Sequence, residues 1–409
     1  MTAARLPSAA PSRQSLVALD WLNFFLSGML TAFGPIAAAY LAAQGWTAKD
    51  IGFVLSIGGI AGLVSQVPGG ELLDAVRAKR LLVATAVVTV ASSILILRLW
   101  PSFQPVALAQ VLQGITGGVL GSGVVAITLG LVGHDGLADR LGQNQRFAAV
   151  GGIAVTLAMS VVAYSESPWA MLIPVSLAVP VLLALSQIQA GEIDFLRASG
   201  VGNPDADRRQ RVSRHGALLK NRRLLIFATC AVLFQLANAS MLPLVSGMLA
   251  QQRQHEAAPL VAALIIVPQL TVAAFAPWVG GQAEKYGRKP LLIIGFAALP
   301  IRAAFFSLIG NPHALILIQL LDGVTASVLG VLTALVIADV TKGTGRFNLA
   351  QGVFGTMMGV GASLSPTLSG LLVHQLGYAA GFASLAGVGL LALVILALFL
   401  PETKESRRA

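Results

Sequence analysis

Apolar residues in this chain come in runs of about twenty, and charged residues are confined largely to the gaps between them. A bilayer core of about 30 Å needs about 20 apolar residues per helix, and windows of that length predict twelve spans. The first six are Leu16–Ala43, Ile51–Leu73, Leu81–Leu99, Val106–Val132, Phe147–Tyr164 and Met171–Ile188. The second six are Leu224–Leu249, Leu260–Gln282, Leu291–Ile309, Leu315–Val340, Leu349–Leu372 and Ala379–Leu400. The expected fold is an all-α polytopic membrane protein of twelve transmembrane helices. Two six-helix halves, 16–188 and 224–400, are joined by one long polar loop, 189–223, and flanked by tails at 1–15 and 401–409.

Composition agrees, with 56% hydrophobic and 11% charged residues, whereas soluble domains carry about 25% charged. All but four of the 27 Lys and Arg fall in the tails and in the loops after spans 2, 4, 6, 8 and 10; the exceptions are Lys49, Arg98, Arg253 and Arg302. The positive-inside rule then puts both termini in the cytoplasm. The net charge of +10 sits in short loops and not on an aromatic-interleaved face, so nucleic acid is not an expected partner. Arg5 and Arg13 precede the first apolar run as in a secretory signal. That run is long enough to span a bilayer and no Ala-x-Ala site follows, so it reads as an uncleaved first span. Trp21, Trp46, Trp100, Trp169 and Trp278 lie near expected helix ends, and Thr47–Asp50 reads as a capping box for span 2.

Cys230 is the single cysteine, which rules out an intrachain disulfide and a cysteine-based metal site. The five histidines, His134, His215, His255, His313 and His374, are scattered in loops or at helix ends. There is no His-Glu-x-x-His and no Gly-x-x-x-x-Gly-Lys, so neither a metal or other cofactor, nor an enzyme, nor an ATP-driven pump is expected.

Two stretches recur about 210 residues apart. Gln110-Val-Leu-Gln-Gly-Ile-Thr-Gly-Gly-Val-Leu-Gly121 returns as Gln319-Leu-Leu-Asp-Gly-Val-Thr-Ala-Ser-Val-Leu-Gly330. Gly70-Glu-Leu-Leu-Asp74-Ala-Val-Arg-Ala-Lys79-Arg80 is answered by Gly280-Gly-Gln-Ala-Glu284-Lys-Tyr-Gly-Arg-Lys289-Pro290. Two unrelated motifs sharing one offset imply a duplicated half.

Twelve spans, a six-plus-six repeat, a basic central loop and a charged motif after spans 2 and 8 together resemble the major facilitator superfamily, over essentially the whole chain. That family's loop motif has the form Gly-x-Leu-Ala-Asp-Arg-x-Gly-Arg-Lys. The first copy keeps Gly70, Leu72, Asp74, Lys79 and Arg80 but has Ala75, Arg77 and Ala78 where Arg, Gly and Arg are usual. The second keeps Gly280, Ala283, Gly287, Arg288 and Lys289, with Glu284 for Asp and Lys285 for Arg. The resemblance implies that Asp74 and Glu284 are cytoplasmic gate residues, each facing a neighbouring helix N-terminus and loop cations; anchoring to lipid headgroups is the other reading. Gly70 and Gly280 fit close helix approach. Many proton-driven exporters of the family carry an Arg-x-x-Gln-Gly pattern on span 4; here Gln110 precedes Gln113-Gly114. The Gly-Pro stretch those exporters carry on span 5 is missing at Gly151-Gly152, and something similar stands on span 11, around Pro366.

Ionisable groups inside spans are costly and mark pathways or buried pairs. Arg302 lies roughly 16 Å into span 9 and Asp322 roughly 11 Å into span 10 from the opposite face, which is comparable depth on antiparallel helices. Two readings of Asp322 stand: a structural pair with Arg302, or a proton or substrate site that switches conformation. Asp20 reads either as an interfacial residue facing water or as a proton-coupling carboxylate. Gln113, Gln235, Asn238 and Asp322, with Phe24 and Phe354, are the candidate substrate cavity, whereas Gln110 and Gln319 are expected to pack against neighbours. The resemblance implies a monomeric secondary transporter of a small organic solute in a bacterial inner membrane, with protons as coupling partners. Efflux of an amphiphilic or drug-like compound is the leading expectation, ahead of import of an organic anion or siderophore-type molecule and of a membrane-embedded enzyme or passive channel.

Overall fold

The computed structural model describes residues 11–46, 48–164, 172–200, 221–252 and 257–404. Thr47, Trp169, His215, Arg253, His255 and residues 201–220 of the connecting loop lie outside the described residues. The protein is an all-α membrane protein with the twelve spans the hydropathy pattern predicts. In lipid a helix satisfies its own backbone, which is why each apolar run folds this way. Among the described residues eight helices are long and apolar enough to cross a bilayer. The last of these, Phe347–Phe399, contains spans 11 and 12 and leaves helical geometry at Gly377, where φ is 85°. Spans 1, 5 and 6 are Arg13–Ala43, Leu137–Tyr164 and Leu172–Gln187.

The chain divides into two compact units, Met1–Arg211 with Thr341–Gly352, and Val212–Val340 with Val353–Ala409. In the first, span 4 (Phe103–Val132) packs along span 2 (Ala48–Ala75) and span 1 along span 5. The duplicated motif explains one such contact in each unit. A Cβ on Gly114 would fall 2.5 Å from the Gly58 carbonyl oxygen of span 2. Its repeat partner Gly323 makes the same approach, with a Cβ placed 2.3 Å from Thr271 Cβ of span 8 (Ala257–Tyr286). Lipid offers no hydrophobic drive between helices, so small residues that admit the neighbouring backbone hold them together.

Three elements depart from the expected pattern. Span 5 starts at Leu137 and not at Phe147, because Arg140 and Asn144, too polar for an apolar window, bond to partners inside the unit. Span 7 is interrupted between Arg222–Asn238 and Met241–Gln252. Pro243 has no N–H for the Ala239 carbonyl, and the break is pinned by Ser240, whose N–H donates to Ser365 Oγ at 3.2 Å while the two hydroxyls meet at 2.6 Å. Span 10, Pro312–Thr341, tightens at Gln319, where the backbone stays right-handed helical (φ −67°, ψ −12°) but adds bonds three residues apart, Gln319 N–H to the Ile316 carbonyl and Asp322 N–H to the Gln319 carbonyl, each at 3.1 Å.

Gly114→Val and Gly323→Val should each destabilise the protein by about 1–3 kcal/mol, the usual cost of overpacking. A lowered thermal midpoint in detergent checks this. Gly117→Val, on the same helix but with nothing within 4 Å of its Cβ position, should leave the midpoint unchanged.

Candidate functional site

The break in span 7 and the tightened turn of span 10 meet at one side chain. Arg302, on span 9 (Lys289–Leu308), is only 3% exposed and ion-paired through Nη1 to Asp322 Oδ1. Its remaining donors are also used. Nη2 donates to Asn238 Oδ1 at 2.5 Å and to Met241 Sδ at 3.0 Å; Nε donates to the same sulfur at 3.3 Å; Nη1 reaches Gln319 Oε1 at 3.4 Å. Gln319 in turn donates to the Leu264 carbonyl at 3.3 Å. Asn238 and Met241 flank the break in span 7, and Gln319 and Asp322 stand at the tightened turn of span 10. A guanidinium presents five N–H donors in a fixed plane, and burial in a span obliges each to find an acceptor. Asp322 itself remains 28% exposed, so the pair has one sealed member and one accessible member.

The first unit holds a separate pair. Arg140 Nη2 bonds to Asp20 and, at 3.0 Å, to the Leu16 carbonyl; Nε donates to Asn144 Oδ1 at 3.1 Å, and Asn144 donates to Thr128 Oγ1 at 2.9 Å. Asp20 is therefore mostly buried, with an 18% exposed side chain, and does not simply face water. The apolar window of span 5 begins at Phe147 and leaves Arg140 in a loop, whereas the helix starts at Leu137 and carries Arg140 to Asp20.

The cavity candidates fall in different surroundings. Asn238 is committed to Arg302, and Gln235 and Gln113 are half-buried. Gln113 Oε1 is buried without a hydrogen-bond donor among the described residues. Phe24 makes edge contacts with Trp21 and Phe25. Phe354 is 3% exposed and stacks on Phe227 at 4.7 Å, so in this conformation it packs in the core and does not line open space. Gln110 and Gln319 are both buried, and Gln110 lies against Gly58.

The two copies of the charged loop motif are built differently. Asp74 Oδ1 accepts from the Asn348 N–H at 3.2 Å and side-chain amide at 2.7 Å, and Oδ2 accepts from the Leu349 N–H at 2.9 Å. A carboxylate at the first turn of a helix meets unpaired N–H groups and the positive end of its dipole. Gly70 makes room for this, since a Cβ there would lie 2.2 Å from the Asn348 carbonyl oxygen. Lys79 is 1% exposed, bonded to the Leu73 carbonyl and to Ser199 Oγ, and sits 4.8 Å from the centre of the Phe195 ring. Arg80 bonds to the Ile188 carbonyl at the end of span 6.

In the second copy the buried cation is Arg288, bridging Glu284 and Asp339 at 3.0 Å each and donating to the Ala283 carbonyl at 2.6 Å. Gly280 is buried on span 8, and Gly287 turns the chain with φ at 90°. Glu402, after span 12, accepts from the Arg288 and Lys289 N–H groups at 2.8 and 3.0 Å. Burial opposes its charge, yet those amides and the N–H groups of Lys404 and Thr403 hold its pKa below the usual glutamate value. Thr403 reaches Asp339 at 3.4 Å, and Lys404 bonds to the Glu284 carbonyl. This tail was legible only as polar sequence.

Twelve helices, inwardly held ion pairs and paired charged loops define a membrane transporter. The profile described as Major Facilitator Superfamily matches residues 20–258 and 227–409, and the chain belongs to that superfamily. An uncharacterized MFS-type transporter of Mycobacterium tuberculosis is 36% identical over 394 residues, 95% of this chain and 94% of that one. The multi-drug resistance efflux pump PmrA of Streptococcus pneumoniae is 30% identical over 138 residues, 34% of this chain and 34% of the pump. Among solved structures, the proton:xylose symporter XylE superposes with a TM-score of 0.74 at 16% identity, covering 95% of this chain and 96% of that one, a likeness of fold.

Asp74→Asn replaces one acceptor oxygen with a donor and leaves an N–H of Asn348 or Leu349 unmet, at about 1–3 kcal/mol. Amide exchange at those two residues should accelerate at least about tenfold, as hydrogen–deuterium exchange would register. For Glu402, a folded pKa below the unfolded one means its stabilisation is full above the unfolded value of about 4.3 and is lost as pH falls through the folded value. The thermal midpoint of wild type should exceed that of Glu402→Gln at neutral pH and converge on it in acid.

Proposed function

We propose that this transporter is a proton-coupled exporter of an amphiphilic or drug-like compound, working by alternating access. The observation that carries the reading is the asymmetric pair of accessible Asp322 and sealed Arg302, clamped from the break in span 7 and the tightened turn of span 10. A proton on Asp322 removes the counter-charge of a buried guanidinium, and an uncompensated charge in that setting is strongly destabilising. Protonation therefore biases spans 7 and 10 toward another packing, which is how a local charge change drives a transporter. Asp20 with Arg140 offers a second titratable pair. Gln113 and Gln235 supply amide groups for a solute's polar part, and the partial similarity to PmrA supports efflux over uptake. Under the same reading Asp74, Glu284 and their motif partners act as the cytoplasmic gate.

Import of an organic anion is the second reading, favoured by the buried cation Arg302, which would meet a substrate carboxylate only once the packing around it opens. Everted vesicles with an acidic interior, assayed with a panel of amphiphilic fluorescent dyes, separate the two. Export predicts uphill dye accumulation that falls at least about tenfold in Asp322→Asn, the loss of one buried counter-charge. Partial recovery is expected in Asp322→Glu. Unchanged pH-driven flux in both Asp322→Asn and Asp20→Asn would rule out coupling through these carboxylates, and organic-anion accumulation in intact cells would favour import.

A further inference from the structure

A groove of about 560 Å³ runs down the outside of the first unit between spans 1 and 6, with walls that are almost entirely apolar. We propose that it is a binding site for an anionic phospholipid of the bilayer leaflet on the side of the chain termini.

Three observations support this occupant. The groove follows span 1 from Arg13 to Phe25, which at 1.5 Å per residue is about 18 Å, close to the roughly 15 Å of one leaflet's hydrocarbon. Its floor and rim are Trp21, 47% exposed, stacked on Phe25 at 5.6 Å, and Leu183, 60% exposed, beside Pro180 of span 6. Those surfaces suit an acyl chain and leave no polar group to solvate in hydrocarbon. Only the mouth is polar. Arg13 is exposed there, next to a bridge in which Gln14 Nε2 donates to Gln187 Oε1 at 2.7 Å. The carboxylate at this end, Glu192, is engaged by the N–H and hydroxyl of Ser12, both at 3.1 Å. Arg80 is bonded to the carbonyl of Ile188, one residue beyond Gln187. Arg13 is thus placed where a phosphodiester sits when its chain lies in the groove, and charge selects an anionic headgroup over a zwitterionic one.

A variant retaining Trp21 as its only tryptophan, reconstituted with brominated phosphatidylglycerol or brominated phosphatidylcholine, reports on this groove directly. Quenching of Trp21 should show about a fivefold preference for the glycerol lipid, the worth of one cation near the surface. Arg13→Gln should abolish the preference and Arg13→Lys should restore it. Native mass spectrometry of the chain with all its tryptophans, comparing retained phosphatidylglycerol in wild type and Arg13→Gln, reads the same difference should the tryptophan replacements disturb folding. Equal quenching by both lipids, a preference that survives in Arg13→Gln, or displacement by inorganic phosphate alone would each overturn the assignment.

Discussion

A guanidinium buried in a transmembrane helix cannot be left with an open donor, and the second unit is arranged around meeting that requirement for Arg302. Regular helices offer few acceptors at mid-span, because their carbonyls are already bonded. The acceptors come from side chains placed where two helices stop being regular: Asn238 and Met241 at the Ala239–Ser240 break, Gln319 and Asp322 at the turn in span 10. Pro243 loosens the break in span 7, and the Ser240–Ser365 contact keeps it from unravelling. The local irregularities therefore have one cause, and substitution at any of these positions bears on the same charge.

The duplicated architecture makes the differences between the units informative. Gly114 and Gly323 do the same job in each, admitting a neighbouring helix at a distance that a side chain would forbid. The charged centres are not copies. The pair in the first unit joins Asp20 to Arg140 near the start of span 5, whereas the pair in the second lies deep in spans 9 and 10. The loop motifs also diverge. The first copy spends its carboxylate on helix-end amides at Asn348 and Leu349, and the second spends its arginine on two carboxylates and borrows Glu402 for its own helix-end amides. Packing tolerates repetition because it depends on shape alone. The charged centres depend on which partner each side chain meets, and those partners differ between the units.

What was legible in the sequence follows from the same distinction. Apolar runs specified the spans, and depth arithmetic put Arg302 level with Asp322. Side chains whose role depends on a helix break were harder to read. Met241 looks like any apolar residue of a span, and only the interruption beside it turns its sulfur into an acceptor. Asn238 looked like part of a solute-facing surface because its neighbour two helices away was invisible. Arg140 was assigned to a loop because an apolar window ends where charge begins, although a charge with a partner can continue a helix inward. Phe354 was read from its type, and its stacking on Phe227 depends on a tertiary contact that type does not encode.

The two members of the Arg302–Asp322 pair are enclosed to different degrees. Arg302, at 3% exposed, is enclosed by the acceptors around it. Asp322, at 28% exposed, is the less enclosed of the two. A pair sealed on both sides would be structural, and one open on both sides would be screened and weak. With one member sealed, the cost of neutralising the other is concentrated in the cation's surroundings, on the acceptors at the break in span 7 and the tightened turn of span 10. The acceptors that hold spans 7 and 10 in place thus answer to the same buried cation as Asp322 does.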